Sequence, residues 1–163
     1  MSMDKPNLYL LRCADIERHA QMFSHPWNPN SELQFTALGR ALGLRRMGVN
    51  FARIPPGKES FVYHAHHSEE EWLYILKGRG IARIDDVEYE VGAGDFMAFP
   101  TPSVAHHLRN PYPEDLVYLM GGENHEIEIA DFPDLHRRMF KRKNGVDIFD
   151  LNAAQPFGPL NET

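Results

Sequence analysis

Gly57-Lys58-Glu59-Ser60-Phe61-Val62-Tyr63-His64-Ala65-His66-His67-Ser68-Glu69-Glu70-Glu71-Trp72-Leu73-Tyr74-Ile75-Leu76-Lys77-Gly78 is the stretch on which the reading of this chain turns. Side chains alternate between the two faces of a β-strand. In a strand over 61–66, His64 and His66 therefore share one face, and Tyr63, Ala65 and His67 take the other. Glu71 opens the next strand on the face of Leu73 and Ile75. Trp72, Tyr74 and Leu76 take the opposite face, so this strand is expected to be covered on both sides. About forty residues on, in a strand over 105–109, His106 shares a face with Leu108 and Asn110.

Four potential ligands, His64, His66, Glu71 and His106, can thus point into one interior. A carboxylate and three imidazoles left unpaired among apolar side chains would be costly. A divalent metal resolves that cost, because neutral imidazoles donate lone pairs and an ionised Glu71 offsets part of the ion's charge. Three nitrogens and one oxygen suit Mn, Fe, Co, Ni, Cu or Zn better than Ca or Mg. Four protein ligands leave one or two positions open on a five- or six-coordinate ion.

Outward from this stretch the signals stay β. Segments 48–54, 61–66, 71–76, 81–84, 87–91, 96–99, 105–109 and 116–120 read as short strands. They are separated by Pro55-Pro56-Gly57, Lys77-Gly78-Arg79-Gly80, Asp85-Asp86, Gly92-Ala93-Gly94-Asp95 and Asn110-Pro111-Tyr112-Pro113. Short strands with turns at this spacing mean a sandwich or barrel. A last ribbon, 139–143 and 146–149, is expected around Asn144-Gly145, a dipeptide that supplies the positive φ angles of tight hairpins. The first thirty residues read as irregular, with His25-Pro26-Trp27-Asn28-Pro29-Asn30 as a loop. Ser31 and Gln34 could cap a helix over 31–44 that Gly39 and Gly43 would weaken.

The spacing resembles the cupin superfamily. Its first motif is matched by Gly57, His64-Ala65-His66, Glu71 and Gly78, and its second by Gly94, Pro100, His106 and Asn110. The departures are a spacer one residue longer before His64, Pro102 in place of a glycine, and one extra residue before His106. They bear on loop geometry rather than on the ligands. The resemblance implies an all-β jelly-roll barrel (a double-stranded β-helix) with a core over about 46–122. A short irregular or helical arm, 1–45, precedes it and a hairpin extension, 123–163, follows. It also implies a bound divalent transition metal (Fe, Mn, Ni or Zn) and a homodimer. The chain looks most like small bacterial single-domain cupins described as sugar-phosphate isomerases.

Composition narrows the function. The 163-residue chain fits one domain. No apolar run approaches the roughly 20 residues that span a bilayer. The first eleven residues lack a secretory pattern, so a cytoplasmic protein is expected. A formal charge of −6 disfavours nucleic acid. The lone Cys13 reads as a bystander thiol. Arg137-Arg138 and Lys141-Arg142-Lys143 read as a solvated or subunit-facing surface.

Some residues stay open. His67 and His107 read as exposed strand ends, with a minor reading as acid or base, alongside Tyr63. Glu70 competes with Glu71 as ligand but would point away from Leu73 and Ile75. Asn110 reads as a turn-former. Tyr63, Trp72, Phe99 and Tyr118 either line a pocket or are plain core, and Arg53 either faces the interior or lies on the surface. The function expected is metal-dependent chemistry on a small oxygen-rich metabolite (a sugar, sugar phosphate or keto acid), as an isomerase, epimerase or dioxygenase. The alternative is a non-catalytic small-molecule binder or sensor. The catalytic acid and base are not legible. A mouth plugged by Trp27 or Phe99 would favour a structural role, and an open, charged one an enzyme.

Overall fold

A computed structural model describes residues 9–155 and Gly158. The amino-terminal stretch before Tyr9, part of the secretion reading, lies outside the described residues. The elements in chain order are α1 (Cys13–Arg18), β1 (Gln21–Phe23), β2 (Leu33–Thr36), α2 (Leu38–Ala41), β3 (Met47–Ile54), β4 (Ala65–His66), β5 (Glu71–Lys77), β6 (Arg79–Ile84), β7 (Val87–Gly92), β8 (Phe96–Phe99), β9 (His106–Arg109), β10 (Leu116–Glu123), β11 (Glu128–Phe132), β12 (Arg137–Arg142) and β13 (Gly145–Asp150).

The strands form two antiparallel layers of a jelly roll. One is six-stranded, in the order β1-β2-β3-β10-β5-β8. The other combines β13-β12-β11-β4 with β7-β6-β9, which meet where His64 pairs with His106. There the His64 N–H donates to the His106 carbonyl at 3.2 Å, and the His106 N–H to that of His64 at 2.8 Å.

The core follows from period-two alternation. Ala52 and Ile54 of β3, Leu73 and Ile75 of β5, Leu108 of β9, and Leu116, Tyr118 and Met120 of β10 are all buried between the layers. Each large apolar side chain buried this way stabilises the fold by about 1.5–3 kcal/mol. The β5 reading holds on this inner face and fails on the outer. Tyr74 and Leu76 are each 40% exposed, so this strand is not covered on both sides. Across the outer surface, Phe51, Leu119, Tyr74 and Phe96 stand in register on β3, β10, β5 and β8.

Two turns show why the strands stop where they do. Asp85 and Asp86 take φ of 47° and 64°, the left-handed pair that a two-residue hairpin requires. Gly78, at φ 80°, lies so close to the start of β10 that a Cβ there would stand 2.2 Å from the Asp115 carbonyl oxygen.

Several expectations need correction. Of 61–66 only Ala65 and His66 form a regular strand. The rest is irregular, with the backbone bending at Phe61 and Tyr63, and pairs only where His64 meets His106. The C-terminal hairpin turns one residue early, on Lys143-Asn144, with Arg142 paired to Gly145, and neither Asn144 nor Gly145 has positive φ. The arm is more ordered than expected, since α1 and β1 lie within the stretch read as irregular. Segment 31–44 splits into β2 and the one-turn α2. Strand β11 was not anticipated at all, because Glu123 to Glu128 reads as polar loop.

Candidate metal centre

The four candidate ligands come from three segments of the two layers. His64 and His66 come from the segment that carries β4, Glu71 opens β5, and His106 opens β9. The ligand atoms of His64, His66 and Glu71 all lie within 4.8 Å of one another. Glu71 Oε2 lies 2.9 Å from His106 Nε2, 3.5 Å from His66 Nε2 and 3.7 Å from His64 Nε2. The Glu71 side chain keeps 21% exposure, and that of His106 only 7%. The structure thus brings three of the four residues singled out in the sequence into one mutually close set, and His106 joins them through Glu71. Glu70 is exposed at the rim, away from this cluster.

The far side of each ring fixes which nitrogen faces the centre. His64 Nδ1 lies 2.7 Å from the Val62 carbonyl, and His106 Nδ1 lies 3.3 Å from that of Val104. A carbonyl only accepts, so Nδ1 carries a proton and Nε2 of each ring is the nitrogen turned toward Glu71, with His106 Nε2 at hydrogen-bond distance from it. His66 Nδ1 stands 3.3 Å from Glu128 Oε1, close enough for electrostatic attraction though not aligned as a hydrogen bond. Phe99 lies flat against His106, with ring centroids 3.7 Å apart, and locks its orientation.

Charge states follow the same geometry. Burial opposes ionisation of Glu71, but contacts with His106, His64 and His66 outweigh it and hold the carboxyl well below its usual range. Burial pulls His106 down, against the pull of Glu71. Burial opposes protonation of His66, but Glu71 and Glu128 outweigh it and raise its pKa, so an ionised carboxylate is ringed by three imidazoles. This donor set fits a divalent transition metal.

Two further residues belong to the site. Glu128 of β11 is fully buried and accepts the backbone N–H groups of His67 and Ser68 at 3.0 and 3.3 Å while facing His66. The signal that could have found it is the alternation Glu128, Ala130, Phe132, all buried on one face of β11. Tyr118, left open between pocket and core, is fully buried, and its hydroxyl has no hydrogen-bond partner. Burial, and then the charge of Glu71, raises its pKa. It lines an interior cavity of about 20 Å³ with His64, Glu71 and His106, room for about one water.

Of the proton carriers expected from the sequence, His67 and Tyr63 do not reach this cavity, and His107 is among the residues that line it. His67 Nε2 pairs with Asp131 at 3.0 Å outside the layer. The Tyr63 hydroxyl accepts the Asp86 N–H beneath the Arg83 guanidinium. His107 is not exposed. Its side chain, 12% exposed, lies in an outer groove with Trp27 and Asn28, 3.6 Å from Glu59. Arg53 lies on the outer side, in a hollow with Ile16 and Glu17. Neither expected plug fills the mouth. Phe99 walls one flank, Trp27 packs on Phe132, and beyond His66 and Glu71 a cleft of about 170 Å³ opens.

Comparison with known proteins agrees with this geometry. Residues 50–122 match the cupin domain family Cupin_2. A crystal structure from Acidithiobacillus ferrooxidans, of a protein described as a candidate sugar phosphate isomerase, is 34% identical. The match covers 93% of this chain and 97% of that one, with a TM-score of 0.88. A cupin from Silicibacter pomeroyi described as a sugar phosphate isomerase shares the fold at 22% identity and TM-score 0.76, over 85% of this chain and 92% of that one. An uncharacterized protein of Methanocaldococcus jannaschii is 37% identical over 59 residues, 36% of this chain. The match spans 46% of that curated relative, less than half its length. This chain belongs to the cupin superfamily.

Proposed function

We propose that His64, His66, Glu71 and His106 hold a divalent transition metal. On this reading the chain, as one cupin domain, acts on a small oxygen-rich metabolite as an isomerase, epimerase or dioxygenase. The observation that carries the reading is the convergence of imidazole nitrogens on the ionised Glu71 within a half-closed cavity. When bound, such an ion would supply Lewis acidity toward a carbonyl or hydroxyl pair. The protein's own residues do the rest. Phe99 shields His106 from water. Tyr118 offers a hydroxyl with no other partner to an oxygen in the interior. Glu70 and Glu123 flank the cleft and can accept protons or hydrogen bonds. Within the substrate class of sugars, sugar phosphates and keto acids, the likeness to the Acidithiobacillus protein supports the sugar members.

Non-catalytic binding is the second reading. It is favoured by the position of His67 and Tyr63, neither of which reaches the interior as a base. A homodimer through the outer row of Phe51, Leu119, Tyr74 and Phe96 is also proposed.

Elemental analysis of protein purified without added metal, beside His106→Ala, tests the site. Near-stoichiometric metal in wild type and a sharp loss in a folded variant is the expected result. Unchanged metal content in the variant would remove His106 from the site. No metal and no uptake on titration would leave the binding reading in front.

A further inference from the structure

The cleft beyond His66 and Glu71 has a charge pattern that bears on what can enter it. Its wall carries four carboxylates, Glu69, Glu70, Glu71 and Glu123, together with Asn50 and His66, and no lysine or arginine. Glu69 is paired with Lys141 Nζ at 2.5 Å. Glu123 has His125 Nε2 at 3.5 Å and accepts the Glu70 N–H at 3.1 Å. The Glu70 carboxylate forms no ion pair among the described residues. Arg45 and Arg46 precede β3 near this rim, and neither lines the cleft.

With a divalent ion in place, four carboxylates against that ion and one ammonium still leave the cleft net negative. Carboxylates accept hydrogen bonds and donate none, so the wall is satisfied by ligands rich in donors. A phosphate ester brings about −1.5 to −2 charges and no donor on the phosphoryl group. A keto acid brings one negative charge. Two residues that line the inner end have a buried polar atom without a partner, Tyr118 through its hydroxyl and His107 through Nε2, and the hydroxyl offers a donor to a ligand oxygen there.

We infer that the ligand of this site is an uncharged, hydroxyl-rich molecule, such as a free sugar or polyol, and that anionic phosphate esters are excluded. The inference rests on the metal-site reading and narrows its substrate class. It runs against the phosphorylated substrates named for the two similar structures. Recognition is then by hydroxyls donating to Glu70 and Glu123, with an oxygen of the same molecule turned inward toward Tyr118.

The test uses the metal-loaded full chain, its metal content measured by elemental analysis, with fructose and fructose 6-phosphate as probes in calorimetric titration at low ionic strength. The expected result is fructose binding at least about tenfold tighter than its phosphate, a gap that added salt narrows because screening weakens the repulsion. In the Glu70→Lys/Glu123→Lys variant, altered only at exposed rim positions, the preference should shift toward the phosphate. Equal or tighter binding of fructose 6-phosphate by wild type overturns the inference, as does a preference that neither salt nor the variant moves. Binding of neither probe by a chain that holds its metal overturns it while leaving the metal site intact. Failure to hold metal at all removes the functional reading and this inference with it.

Discussion

At the scale of single residues, two buried groups carry consequences that can be measured. Glu128 holds two backbone N–H groups and faces His66 from behind. Glu128→Ala should cost about 1–3 kcal/mol in chemical denaturation, because the Ser68 N–H loses its acceptor, while the His67 N–H keeps the Ile129 carbonyl at 2.9 Å. Metal affinity should also fall roughly 10–100-fold, since His66 loses its orienting partner. Glu128→Gln, which keeps an acceptor, should recover most of the stability. An alanine variant as stable as wild type would show that the Ser68 N–H finds another partner. His107 is the second case. Burial pulls it down to about 4, against the pull of Glu59. An unfolded histidine titrates near ~6.5. Between those values the unfolded chain binds more protons, so stability rises with pH, and acidification from about 6.5 to 4 should remove about 1–3 kcal/mol. Urea midpoints across that range should fall less steeply for His107→Gln. Parallel slopes would place the imidazole in water.

At the scale of elements, alternation and turn chemistry made most of the barrel readable. Leu73 and Ile75 on one side of β5, and His106 with Leu108 on β9, are buried as their spacing requires. The sites of failure share a cause, which is that tertiary contacts rather than local pattern fix the conformation. Strand β11 begins with a glutamate, a residue that local pattern places in solvent, although Ala130 and Phe132 carry its buried face on. The segment before β4 bends to follow the layer edge, yet it keeps His64 and His66 on one side, so the ligand pair was legible where the strand was not. His107 was read as exposed because nothing local shows that Trp27 and Asn28 fold back over it. Gly78 tests the turn logic. Gly78→Ala must place a methyl against the Asp115 carbonyl at positive φ, at an expected cost of about 2–4 kcal/mol. A thermal midpoint equal to wild type would mean that the β5–β6 turn moves freely away from β10.

At the scale of the whole molecule, the outer row of Phe51, Leu119, Tyr74 and Phe96 forms an apolar band across four strands, with Phe96 62% exposed. Bands of this kind mark association surfaces. Light scattering should therefore return twice the 18.7 kDa chain mass, and Phe96→Glu should return the single value. A wild-type monomer at micromolar concentration would exclude this face as a stable interface.

The pairing of His64 with His106 joins the two halves of the second layer through the backbones of two of the proposed ligands, 42 residues apart in the chain. A chain with that seam open has nowhere to gather the four side chains. Any ion held there reports the cooperative closure of the whole β architecture. Ion release during a denaturant titration should then coincide with global loss of structure, so that a spectroscopically visible metal becomes an internal gauge of how many molecules are folded.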